Sequence, residues 1–449
     1  MTGHRHPLRF AALLALLALG PAFAASVSET TQAKESAMTS EWTSYHPAAT
    51  GTVPTFVNDE KGLAISCADA NGFCSWERDF PAPEGEAVAI RVLSDARPEW
   101  NNRVGAVATL KRADGYALST WYLEPEIQAD GTLTFAITLP RRDAATVSLS
   151  LYFKWTAGTV LFREVSVTAA PLPPVRRARI VTTRIMPEAP TTREENLARI
   201  QRMLDRIAAA VERPDLVLFS ECLPDRMDPR PVAERAEPLE GPTFQLLSRW
   251  SKANHCYTAI SIHERAPEGL YNTAFIVGRQ GELVGRYRKC NLTWGESHNM
   301  GILPGHDYPV FELDFGKVGM EICWDMWFGE ASRALRLNGA EVILLPIAGD
   351  GIVPHRDHVW PARALENGVY LVTSATFASH DGRSLSLICD PNGQILAQTS
   401  GNDTFTWADL VFPFEKPCRF LSVGDSDGDP RNLYIRERNV EAAGRLQSF

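Results

Sequence analysis

Basic tracts are missing from this chain. Lys and Arg number 45 against 54 Asp and Glu, for a formal charge of -9. An acidic chain without a cationic stripe excludes roles built on nucleic-acid phosphates or anionic lipid surfaces. Long apolar runs are scarce too: Phe10 to Leu19 is far short of the ~20 residues that span a bilayer. Cysteine is sparse, 8 residues in 449, so dense disulfide stapling is excluded and a hydrophobic core must hold the fold. Metal-ligand patterns are equally thin. His355-Arg-Asp-His358 lacks the glutamate and the i, i+4 spacing of a zinc hydrolase helix. Asp425-Ser-Asp-Gly-Asp429 lacks the distal glutamate of a calcium loop. The sequence predicts no metal and no cofactor.

What is present begins with an address. His4-Arg-His6 and Arg9 precede the apolar Phe10–Leu19 run, Gly20-Pro21 breaks it, and Ala22-Phe-Ala24 is a small-residue cleavage site. Residues 1–24 read as a secretory signal peptide cut after Ala24. Ala25 stands where a lipoprotein anchor needs cysteine. The expectation is a soluble protein, secreted or periplasmic, with residues 25–44 as a flexible lead-in. In an oxidising compartment Cys67 and Cys74, flanking a turn-rich Ala-Asp-Ala-Asn-Gly-Phe loop, suit a disulfide, with two separate buried thiols as the alternative.

At this length two domains are expected. Residues 45–170 alternate with period two, most clearly in Val147-Ser-Leu-Ser-Leu-Tyr-Phe-Lys-Trp155 and Val160-Leu-Phe-Arg-Glu-Val-Ser-Val167. That pattern predicts an all-β sandwich, whose closing strand resembles, weakly, that of jelly-roll carbohydrate-binding modules. Trp76, Trp100 and Trp121 then either stack on sugar rings or fill the core. A stiff proline linker covers 171–175. From 176 to 449 strands alternate with helices, such as helix Thr192–Val211 before strand Leu216–Ser220, which predicts an α/β domain.

Three strand ends in that second region carry reactive groups. Pro214-Asp-Leu-Val-Leu-Phe-Ser-Glu221 is a buried-strand pattern ending in a carboxylate. Gly281-Glu-Leu-Val-Gly-Arg-Tyr-Arg-Lys289 ends in a lysine, followed by Glu296. Val318-Gly-Met-Glu-Ile-Cys-Trp-Asp325, with Cys323 at the strand-to-helix turn, completes the set. A cysteine near a helix N-terminus is expected to favour the thiolate. Cys222, Cys256 and Cys389, in apolar surroundings, read as buried thiols.

In this order, Glu221, Lys289 and Cys323 resemble the Glu-Lys-Cys triad of the nitrilase superfamily, the carbon–nitrogen hydrolases. Flanking pieces extend the resemblance from about Ala178 to Tyr434, among them Asn196-Leu-Ala-Arg-Ile200, Tyr271-Asn272-Thr273, Gly339-Ala-Glu-Val-Ile-Leu-Leu-Pro346 and Ala362-Arg-Ala-Leu-Glu-Asn-Gly368. It implies a four-layer α-β-β-α sandwich and a homodimer paired through a helical face. It also implies Glu296 as a second glutamate orienting Lys289 or the substrate. Ser220 and Gly329 stand where the family commonly has proline. Cys323-Trp324-Asp325-Met326 departs from the Cys-Trp-Glu-Asn of nitrile hydrolases, so amide cleavage is expected.

The chemistry accounts for these residue types. Glu221 takes the thiol proton and later activates water, Cys323 attacks the carbonyl, and Lys289 with the Trp324 backbone N–H faces the oxyanion. Substrate contacts are expected in the loops holding Trp294, His355 and Arg356, and the substrate is a small or glycan-linked amide. Two other readings stay open: a carbohydrate-binding protein on a degenerate hydrolase scaffold, and acyl transfer from the same thioester.

Overall fold

Period-two alternation builds the first of two compact units, Met1–Pro173 with Pro417–Phe449; the second is Pro174–Lys416. The structure is a computed structural model that describes residues 34–36, 41–47, 52–100, 102–349, 355–377, 386–399 and 401–414, with short pieces at 418–419, 427–428, 436–439 and 442. Val147, Leu149, Leu151 and Phe153 enter the core while Ser148 and Ser150 face away, so Thr146–Lys154 forms a strand with one buried face. It pairs antiparallel with Phe73–Pro81 and Val104–Lys111. The next strand, Gly158–Ala170, crosses to the opposite sheet beside Gly62–Cys67 and Ala87–Ser94. Sheets of eight and six strands share one core around Ile65, Ile90, Phe135 and Phe162. This is the expected β-sandwich.

In the first unit one open alternative is decided and two details depart from the sequence reading. Trp76 is fully buried with its indole N–H donated to the Ala64 carbonyl at 3.1 Å, so it is no sugar platform; Trp100 and Trp121 also pack against the core. The lead-in is partly strand, since Lys34–Ser36 pairs with Thr43–Tyr45, which joins Phe73–Pro81. The C-terminal segment, expected in the hydrolase domain, groups with the sandwich. Asp427–Gly428 lies beside Ala117–Tyr122, and Lys154 donates to the Arg436 carbonyl at 2.7 Å. The signal-peptide residues lie outside the described residues, as does the Asp425–Asp429 loop apart from Asp427–Gly428.

Continuous apolar runs shape the second unit, because its central strands are buried on both faces. One six-stranded sheet runs in the order Leu283–Arg288, Gly269–Val277, Tyr257–Ala266, Leu216–Leu218, Arg176–Arg184, Thr404–Phe412. The other runs Val310–Leu313, Gly316–Met320, Val342–Ile347, Tyr370–Ala375, Leu387–Cys389, Ile395–Gln398. Ile180, Leu216, Leu218, Ala274 and Ile276 meet Val318, Met320, Val342 and Leu344 between the sheets. On the outer face of the first sheet, Val217, Phe219 and Phe275 pack under two helices, Arg193–Ala210 and Pro242–Asn254. The former presents Ile200, Met203, Leu204 and Ile207, an i, i+3, i+4, i+7 stripe. Ile343, Leu345 and Leu371 of the second sheet are covered by helices Gly329–Leu337 and Trp360–Asn367. The result is the four-layer α-β-β-α sandwich. Among the described residues no helix is long and apolar enough to cross a membrane.

Candidate active site

Parallel strands leave their carboxyl ends on one edge, and three chain reversals there gather the charged groups. Glu221 follows strand Leu216–Leu218, and the turn beyond it passes through Cys222 at φ +46. Glu221 Oε1 accepts from Lys289 Nζ at 3.0 Å and from Asn272 Nδ2 at 2.8 Å; Oε2 accepts the Ala348 N–H at 2.9 Å, from the end of the other sheet. Lys289 follows strand Leu283–Arg288 and donates to both oxygens of Glu296 at 2.9 Å. Glu296 also accepts the Thr293 N–H at 2.9 Å. Asn272 bridges the two carboxylates, since its Nδ2 also donates to Glu296 Oε1 at 2.9 Å. Lys289 is 1% exposed, Glu221 5% and Glu296 8%. Glu221 and Lys289 are thus paired away from solvent, where each stabilises the other's charge.

Cys323 begins a 3-10 turn, Cys323–Trp327, with φ +45. That backbone is costly for a side-chain-bearing residue and is held by its surroundings. Asp325 is the holder: its Oδ2 accepts the Ile322 N–H at 3.0 Å and the Tyr287 hydroxyl at 2.7 Å, and its Oδ1 accepts from Asn291 N at 2.8 Å and Nδ2 at 3.0 Å. The same side chain therefore ties the cysteine turn to the loop after Lys289. The thiol sits beside the Glu221 carboxylate and the Ala348 N–H.

Electrostatics assign the resting protons. Burial alone raises Glu221, but the charges of Lys289 and Arg226 and the hydrogen bonds from Lys289 and Asn272 pull it well below the usual carboxylate range. Burial opposes the Lys289 charge, yet Glu221 and Glu296 hold it firmly protonated. Burial and then the Glu221 charge push the Cys323 thiol up, more than Lys289 and the Ala348 N–H pull it down. The expected resting thiolate is thus corrected to a thiol. The reason is local: burial and the Glu221 charge dominate, and Cys323 runs into a 3-10 turn while helix Gly329–Leu337 starts further on.

The structure brings Glu221, Lys289, Cys323 and Glu296 into one cluster, the three charged residues buried and Cys323 half-buried. Trp324 is the next residue in the turn, its ring half-exposed against Trp327 and Phe328. Trp294, at the start of the Glu296 loop, is 76% exposed and stacked on His298. His355 and Arg356 open the turn His355–Val359, but their side chains lie outside what the structure describes. Asn272, Asp325 and the Ala348 N–H were not singled out from sequence. A signal did exist for two of them: Asn272 is a polar residue within an apolar strand, and Asp325 sits where a carboxylate caps the turn after Cys323.

The carbon-nitrogen hydrolase family profile matches residues 177–410, just over half of the chain and the whole of this cluster. The chain belongs to the carbon–nitrogen hydrolase family and is an enzyme of that class. A nitrilase of Pyrococcus abyssi is 36% identical over 165 residues, covering 36% of this chain and 61% of that protein. The probable nitrilase C965.09 of Schizosaccharomyces pombe is 30% identical over 216 residues, 45% of this chain and 77% of its own length. The omega-amidase NIT2 of Mus musculus is 28% identical over 218 residues, 45% and 78% respectively. Among solved structures, an amidase from Nesterenkonia sp. aligns at 21% identity with a TM-score of 0.48, covering 60% of this chain and 97% of that one.

Proposed function

We propose that this enzyme hydrolyses a non-peptide amide through an acyl-enzyme on Cys323. The observation that carries the reading is the buried Glu221–Lys289–Glu296 cluster against a cysteine on a strained turn. Glu221, ionised at rest, takes the thiol proton as sulfur attacks the carbonyl carbon. Lys289 and the Trp324 N–H are the donors for the developing oxyanion, a contribution typically worth ~3–4 kcal/mol per donor. Collapse of the tetrahedral intermediate breaks the C–N bond, and protonated Glu221 passes its proton to the leaving amine. Water then attacks the thioester, Glu221 accepts its proton, and the thiol is restored with release of the acid. Glu296 and Asn272 keep Lys289 and Glu221 in place.

Relatives named as nitrilases and as omega-amidases both occur, and Asp325-Met326 after Cys323-Trp324 favours the amide. Export with loss of residues 1–24 is part of the same proposal. Ammonia release should be measured across short aliphatic amides, carbamoyl compounds, glycosyl-asparagine and the matching nitriles. At least one amide should turn over, Cys323→Ala should abolish it while leaving the fold intact, and the intact mass should gain an acyl group during turnover. Undiminished turnover by Cys323→Ala would sink the mechanism.

A further inference from the structure

Directly behind Glu221 the chain passes through Cys222 into the short turn Leu223–Asp225. This turn packs on the neighbouring strand Tyr257–Ala266, where His263 Nδ1 lies 2.7 Å from Asp225 Oδ2. Cys222, Asp225 and His263 each bring one donor atom within 4.8 Å of the other two. All three are buried, at 1%, 3% and 7% exposure. Sulfur, imidazole nitrogen and carboxylate oxygen together are a donor set for zinc-class divalent ions; calcium and magnesium prefer oxygen throughout.

An independent observation points the same way. Asp225 Oδ1 is buried and has no hydrogen-bond partner among the described residues. Its other oxygen is already used, by His263 and by Arg235, whose Nε is 3.3 Å away. A plain His263–Asp225 pair explains Oδ2 and leaves Oδ1 bare, a costly arrangement for a buried carboxylate. A cation on Oδ1 removes that cost.

We propose that Cys222, Asp225 and His263 bind a zinc-class divalent cation, and that the occupied site slows turnover. Zinc bonds of about 2.0–2.3 Å set donors roughly 3.3–3.7 Å apart in a tetrahedron, so donors now spread over as much as 4.8 Å must draw together. Cys222 is bonded to Glu221, and its thiol also faces Asn272 Oδ1 at 3.5 Å. Drawing Cys222 inward shifts both the Glu221 carboxylate and the amide that orients it. Binding is redox-neutral: S–metal, N–metal and O–metal bonds form, the Cys222 thiol proton and the proton between His263 and Asp225 leave to solvent, and water fills the fourth position.

The binding experiment uses the full chain with Cys323→Ala, so that the catalytic thiol takes no metal. Metal binding is read without turnover, so it stands or falls apart from the amidase reading. Titration with zinc should show one tight equivalent, and cobalt at that site should give a thiolate-to-cobalt charge-transfer band. Adding Cys222→Ser should remove that equivalent and its band. His263→Gln and Asp225→Asn, checked for fold by circular dichroism, should weaken binding. Unchanged stoichiometry in Cys222→Ser and in His263→Gln overturns the site. In the enzyme with Cys323 intact, one equivalent of zinc should lower kcat with little change in KM, and a chelator should restore it. Turnover that is unchanged with the site filled overturns the coupling to Glu221.

Discussion

Glu321, two residues before Cys323, shows how one buried side chain sets a pH dependence. It has no exposed surface. Burial, with the nearby Asp325 charge, pushes it up to about 8 from an ordinary 4.5, against the pull of Ser332 and Arg363. A carboxyl with a raised folded-state value stabilises the fold relative to its ionised form below about 4.5, and that stability is lost as pH rises toward about 8. Urea unfolding should therefore show stability falling over this window, and Glu321→Gln should flatten the fall. Parallel curves for the two proteins would refute the assignment. Asp325 acts through geometry instead. Asp325→Asn turns one acceptor oxygen toward donors as an NH2, which should cost about 2–4 kcal/mol in unfolding free energy. By displacing Cys323 it should lower kcat by roughly a hundredfold. A variant with wild-type kcat would show that the cysteine turn does not depend on this carboxylate.

Elements were legible where local pattern decides them. Helix Arg193–Ala210 follows from its apolar stripe and from the Thr192/Glu195 capping box, and Thr146–Lys154 from strict alternation. Glu221, Lys289 and Cys323 were legible because each stands at the end of a short strand pattern. What stayed hidden depends on chain return over long separations. The Ala348 N–H reaches Glu221 from the other sheet, Asn272 bridges two loops, and the 3-10 turn after Cys323 replaces a helix start. The sandwich offers an element-scale test. Cys67 ends one strand, Cys74 lies in the next, and their sulfurs are 3.3 Å apart, in reach of the ~2.05 Å bond after a small rotation. Protein from an oxidising compartment should be about 2 Da lighter than its reduced form at this pair. Closing so short a loop stabilises by about 2–3 kcal/mol in the chain-entropy account, so reductant should lower the melting temperature of the native chain but not of Cys67→Ser. Free thiols at both positions in exported protein would rule the bond out.

At the scale of the whole molecule, two self-contained units determine where the chain can be cut. The first unit is built on a single core between residues 42 and 162. The three cores of the second lie between residues 178 and 412. Every side chain in the proposed mechanism belongs to the second unit, and among the described residues neither of its six-stranded sheets takes a strand from the first. A fragment of residues 174–416 should fold and keep turnover of a small soluble amide. The cut suggested by sequence, 176 to 449, is worse. Its tail carries Arg436, Glu437 and Arg438, whose described partners are Lys154, Tyr122 and Asn102 of the sandwich. Leaving those groups without partners should make the longer fragment less soluble than the shorter one. A sandwich fragment ending at 173 should in turn melt lower than one that keeps 417–449 in trans. Comparing kcat and KM of the 174–416 fragment with the full chain on the smallest accepted amide decides the matter. Equal values place the whole catalytic apparatus in the second unit, whereas a folded fragment without turnover requires a group from the sandwich to complete the site.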